Sequence, residues 1–135
     1  MTGEVSVELR AGQVARAAFG VEYIASDPGR ATSLAAVEVL LTEGCSVLLS
    51  SGTDWTLEVS EGRWPVLPIW CWPVESWTFE EMPELGQPGL DRIISVSEIH
   101  DSVGELCGVD LEFSAAWVTV RSGEALTWSV SRRTS

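Results

Sequence analysis

The chain has 135 residues, 45 % of them apolar, which suits a single domain with its own core (1–135) and argues against disorder. Twenty Asp and Glu oppose eight basic residues, all arginine, for a net charge of −12. A field of that sign repels nucleic acid and anionic membrane surfaces and speeds encounter with a basic protein.

The N-terminus, Met1 to Gln13, has neither a charged leader region nor an apolar run, so it does not read as an export signal. No segment approaches the length of apolar residues that a membrane-spanning helix needs. Val5, Val7 and Leu9 alternate with charged and polar residues, as a strand with one wet face does. Gln13–Phe19, bounded by Gly12 and Gly20, reads as a short strand, and Gly20–Ala25 as another. Ser26-Asp27-Pro28-Gly29-Arg30 is a surface turn, where proline presets φ.

Val37, Val39 and Leu41 then alternate with Ala36, Glu38 and Leu40, and Trp55, Leu57 and Val59 with Thr56, Glu58 and Ser60. The second set in each case is expected to face water. Turns at Thr42-Glu43-Gly44 and Ser51-Gly52-Thr53-Asp54 make this a meander. After a strand over Ile93–Ile99 the pattern recurs: Val109, Leu111 and Phe113 alternate with acids, and Leu126, Trp128 and Val130 with Thr127, Ser129 and Ser131.

The recurrence extends to sequence. With a one-residue gap at Cys45, Val37–Ser60 aligns with Val109–Ser131, with Val37/Val109, Val47/Val118, Ser51/Ser122, Gly52/Gly123, Thr56/Thr127, Val59/Val130 and Ser60/Ser131 identical and Glu38/Asp110 conservative. Two copies of one unit, over 14–60 and 90–131, predict a pseudo-symmetric fold. The fold class is all-β and mainly antiparallel: about nine short strands in a small barrel or two-sheet sandwich.

Between the copies lies a strap, 61–89, with four of the seven tryptophans and five of the six prolines. Its prolines forbid a regular helix, so it is expected to be extended, with an edge strand near Ile69–Trp72. There Trp70 and Trp72 would share one face, and Ile69 and Cys71 the other. Thr78 and Glu81 have capping-box spacing, which suggests one helical turn over Phe79–Met82.

The strap is the best functional candidate. Tryptophan anchors protein interfaces and stacks on sugar rings. Trp64, Trp70, Trp72 and Trp77, interleaved with Glu75, Glu80, Glu81 and Glu84, would supply apolar area and charge steering toward a basic target. Trp55 and Trp128 belong to the core-facing pattern instead.

Catalytic and cofactor chemistry finds no motif. His100 is the sole histidine, and its neighbour Asp101 on a strand would point the other way. No nucleophile elbow, phosphate loop, dinucleotide fingerprint, zinc spacing or calcium loop is present, so no cofactor or metal is expected. Cys45, Cys71 and Cys107 form no disulfide framework, suit a reducing cytoplasm, and are each expected to be buried. The lack of both Lys and Asn, whose codons begin with two adenines, points to a GC-rich, bacterial genome.

The expected function is therefore a non-catalytic, acidic, protein-binding module that docks on a basic partner. One concrete form is an immunity protein that blocks a nuclease toxin, whose active site is positive because it binds phosphate. The alternatives are a small-molecule or glycan binder using the tryptophan strap, and a structural subunit of a homo-oligomer joined through edge strands.

Overall fold

A computed structural model of the chain describes residues 9–24, 34–42, 44–52 and 54–133. The expected strand at Val5–Leu9, apart from Leu9 itself, and the turn at Ser26–Arg30 lie outside the described residues. The fold is all-β. Nine strands run in chain order as β1 (Ala15–Tyr23), β2 (Leu34–Leu41), β3 (Ser46–Ser51), β4 (Leu57–Glu61), β5 (Trp77–Glu81), β6 (Ser95–His100), β7 (Leu106–Glu112), β8 (Ala116–Arg121) and β9 (Thr127–Arg132). No described helix is long and apolar enough to cross a membrane.

The strands form two antiparallel sheets, ordered β4-β3-β2-β1-β5 and β6-β7-β8-β9. Each aligned segment is thus the heart of one four-stranded meander, and β5 is added at the far edge of the first. The sheets do not close into a barrel. Outside the named strands, one described bridge, Val14 to Arg92, ties the start of β1 to the segment before β6. The result is a sandwich whose main core comes from both inner faces: Val37, Val39, Leu41, Val47 and Leu49 from one, and Val109, Leu111, Phe113, Val118 and Val120 from the other. Burying alternate β-branched and leucine side chains of two facing sheets is the dominant stabilising term in such a fold.

The two units also meet at residues identical between them. Gly123 N donates to Ser51 Oγ at 3.1 Å. Ser122 Oγ donates to Trp55 O at 2.6 Å. The Ser-Gly turn of each copy therefore touches the turn region of the other.

Four expectations are corrected. The expected strands Gln13–Phe19 and Gly20–Ala25, of which Ala25 lies outside the described residues, run together over Ala15–Tyr23 as one strand, β1, because Gly20 marks a close approach and not a turn: a Cβ there would lie 2.6 Å from Leu34 Cδ1. Ile69–Trp72 is no strand. It holds a turn in which Cys71 N donates to Pro68 O at 3.0 Å. Phe79–Met82 is no helical turn, since Trp77–Glu81 is edge strand β5, paired with β1 from Phe19↔Glu81 to Tyr23↔Trp77. Aromatic and β-branched side chains at Trp77, Thr78 and Phe79 prefer that pleated surface over a single helical turn. Trp55 is not in the core but 61 % exposed. The β3–β4 turn runs on through Trp55, which takes φ 66° and donates its N–H to Gly52 O at 3.0 Å.

Candidate functional site

The outer face of the first sheet carries the candidate site. Its register builds two complete rows across five strands. One row reads Glu81, Phe19, Glu38, Leu48, Ser60, and the next reads Phe79, Val21, Ala36, Ser50, Glu58, each from β5 to β4. The strap crosses this face. Leu67 and Cys71 pack with Val21, Ala36, Leu48, Trp77 and Phe79 as a second, smaller core. The first sheet is therefore covered on both faces. The outer face of the second, with Asp110, Thr119, Ser129 and Ser131, has no such cover among the described residues.

Glu38 is the residue the alternation misplaces. It sits at the centre of the face on the middle strand and is fully buried, not in water. Its Oε2 accepts from Ser46 Oγ at 2.6 Å and from the backbone N–H of Trp64 at 2.6 Å. Gly62, which donates its N–H to Ser46 O at 2.9 Å, lies directly over the carboxyl group, where a side chain would collide with Oε2. The buried acid thus pins the start of the strap to the sheet. Its other oxygen, Oε1, has no hydrogen-bond partner among the described residues. Its counterpart in the second copy, Asp110, accepts from Thr119 Oγ1 at 2.5 Å and is only half-buried.

The strap leaves the face incompletely filled over β2, β3 and β4. Two cavities remain there, of about 210 Å³ and about 230 Å³. Trp70 borders both. Glu38, Leu48, Ser60 and Glu61 contribute to the first, and Ser50 and Glu58 to the second.

Among the residues expected to bind a partner, the tryptophans divide. Trp64 is half-buried, stacked on Phe19 with centroids 5.2 Å apart and planes at 20°, under the Arg16 guanidinium 5.9 Å from its centroid. Trp77 is half-buried in β5, edge-on to Tyr23 at 5.3 Å and to Trp70 at 5.4 Å. Trp72 is 81 % exposed. Ile69 and Cys71 do not share a face: Ile69 is 91 % exposed and Cys71 is buried. Glu75 is exposed in a 3-10 turn, Val74–Ser76, and Glu80 and Glu81 are exposed on β5. Their pairing partners place Glu81 on the strap side, beside Phe19, and Glu80 on the opposite side. Glu84 is half-buried in the loop after β5. These eight residues therefore do not form one cluster.

An apolar patch does form. Ten large apolar side chains are exposed among the described residues, and five of them, Val66, Ile69, Trp70, Trp72 and Val74, fall within nine consecutive positions. Tyr23 and Ile24, also exposed, adjoin it through the Tyr23–Trp77 ring contact and the bond from Ile24 N to Ser76 O at 2.7 Å.

The remaining titratable groups are dispersed. His100 Nε2 lies 3.4 Å from Glu98 Oε1, its neighbour two residues back on the same strand face. Asp101 instead holds the following turn, accepting from Val103 N and Glu105 N at 3.0 Å each. Burial pushes the Cys71 thiol up to about 11. Cys45, expected to be buried, is exposed beside the β2–β3 turn. The Ser95 hydroxyl, and then Arg133, hold the Glu112 carboxyl below its ordinary value. No three described His, Cys, Asp or Glu side chains gather closely enough to hold a metal ion. Comparison with protein-family models, curated proteins and solved structures finds no match.

Proposed function

We propose that the protein is a non-catalytic binding module that docks on a basic protein through the apolar strap patch of residues 66–74. The observation that carries this is the patch itself: five large apolar side chains held out from a segment whose intervening residues, Leu67 and Cys71, are tucked into a core. Contiguous exposed apolar surface on a folded domain is characteristic of an interface, and tryptophan is its most frequent anchor. The rim supplies sign. Glu58, Glu61, Glu75 and Glu81 are all exposed around the patch, in a chain of net charge −12. A cationic partner gains both burial of the tryptophans and attraction to that rim. A nuclease with a phosphate-binding active site is one such partner, and occlusion of that active site would be inhibition.

The test uses affinity capture with the wild-type chain and with Trp72→Ala in parallel. The retained protein is identified and purified, and its affinity is then measured at about 50 and about 500 mM salt. The expected partner is net positive, binds at least about tenfold more weakly at the higher salt, and loses at least about tenfold with Trp72→Ala. A partner that is acidic, indifferent to salt or indifferent to Trp72 contradicts the proposal.

A further inference from the structure

We propose that the cavity beside Glu38 is an anchoring pocket for an alkylguanidinium, the arginine side chain of the docked partner. The inference rests on the docking reading above and names the group that enters the sheet.

Three observations point to this chemistry. The first is the acceptor. Glu38 is fully buried, its Oε2 already takes two donors at 2.6 Å, and its Oε1 takes none among the described residues. A buried carboxyl oxygen without a donor is costly, so a ligand that brings an N–H gains by supplying one. The second is the cavity. Glu38 belongs to its lining, and its volume of about 210 Å³ equals that of about seven waters at about 30 Å³ each, room for a guanidinium and its methylenes. The third is the wall. Leu48 and Trp70 form an apolar side along which an alkyl stem can lie, with an indole available to a flat cation.

The same lining selects among ligands. Two acids, Glu38 and Glu61, and one arginine, Arg63, belong to the lining, so an anionic ligand meets the wrong sign. A metal ion would need more ligating groups than gather there. A guanidinium suits better than an ammonium, because it is planar, less strongly hydrated, and presents its donors in a fork along one edge. Arg63 makes no ion pair with any described carboxylate, so at this lining its like charge opposes an entering cation.

The experiment titrates the folded, isotopically labelled protein with n-butylguanidinium, n-butylammonium and n-butyltrimethylammonium. It follows the Trp64 amide and Trp70 indole N–H signals by NMR. The guanidinium should shift both saturably and bind more tightly than the ammonium. The trimethylammonium, with no N–H to donate, should not saturate. Glu38→Gln keeps an acceptor for Ser46 and Trp64 but should weaken guanidinium binding at least about tenfold. Arg63→Ala, at an exposed position, should strengthen it severalfold, and this variant carries the test if Glu38→Gln does not fold. The proposal is overturned by a guanidinium that gives no saturable shift, by equal or tighter binding of either other cation, or by an affinity that Glu38→Gln leaves unchanged. An affinity that Arg63→Ala leaves unchanged or lowers also overturns it. Because no partner protein is present, failure here leaves the docking patch standing. Loss of docking in Trp72→Ala, which lies outside this cavity, would leave the pocket unaffected.

Discussion

Replacing Gly62 by alanine should lift the strap from the sheet. A Cβ at this position would lie 2.5 Å from Ser46 Oγ and nearer still to Glu38 Oε2, whereas real Cβ contacts essentially never fall below 3.0 Å. Gly62 is not among the positive-φ glycines, so the effect is steric and not conformational. Neither neighbour can yield freely, since Ser46 and Glu38 are both buried and bonded to each other. Relief requires the strap to move outward, which breaks or stretches the Trp64–Glu38 and Gly62–Ser46 bonds. At about 1.5 kcal/mol each, the loss is about 3 kcal/mol. The smaller chain entropy of unfolded alanine returns about 0.4–1 kcal/mol. The net destabilisation is therefore about 2–3 kcal/mol, read as a lower midpoint in urea with tryptophan fluorescence as the probe. Acrylamide quenching of the native state should rise as well, because Trp64 loses its seat on Phe19. A variant within about 0.5 kcal/mol of wild type, with unchanged quenching, would refute the pinning role of Glu38.

Further outcomes follow from the same contacts. Gly86→Ala places a Cβ against the Arg16 carbonyl at φ 94°, where both sterics and backbone oppose it. A loss of more than about 3 kcal/mol is expected by chemical denaturation. Burial raises the Cys71 thiol from 9.0 to about 11, so the native state holds that proton more tightly than the unfolded one. Its contribution is complete below pH 9.0 and fades as pH rises toward about 11. The chain has no lysine to titrate in that window, and Cys71→Ala should flatten the decline in stability there. Ser122→Ala removes a donor to Trp55 O and to Cys107 O and should cost about 1 kcal/mol of thermal stability.

The all-β class was legible because its signal is repeated. Period-two alternation at Val37–Leu41, Leu57–Val59, Val109–Phe113 and Leu126–Val130 marks the inner faces, and the Ser-Gly turns sit at matching places in both copies. What alternation cannot carry is a strand buried on both sides. Leu34–Leu41 reads LAAVEVLL, and the residues flanking Glu38 on its own face, Ala36 and Leu40, are apolar. That was a signal that the strand has two dry faces with one embedded acid. Assigning the second face to water hid Glu38, and with it the pocket. The strap failed for a different reason. Its prolines exclude regular structure but do not say which tryptophan turns inward. The turn at Pro68–Cys71 reverses the alternation, so Cys71 enters the second core while Ile69 and Trp72 remain outside. Trp55 illustrates the same limit, since two more residues in a hairpin turn convert a core position into an exposed one.

Docking as proposed requires the strap-covered face of the sandwich to meet the partner. Amide and indole shift mapping of the labelled protein with the purified partner tests this directly. Perturbations are predicted over residues 66–74, at Glu58 and Glu61 on β4, and at the Trp64 amide above Glu38. Perturbations confined to the open face of the second sheet, at Thr119, Ser129 and Ser131, would contradict it.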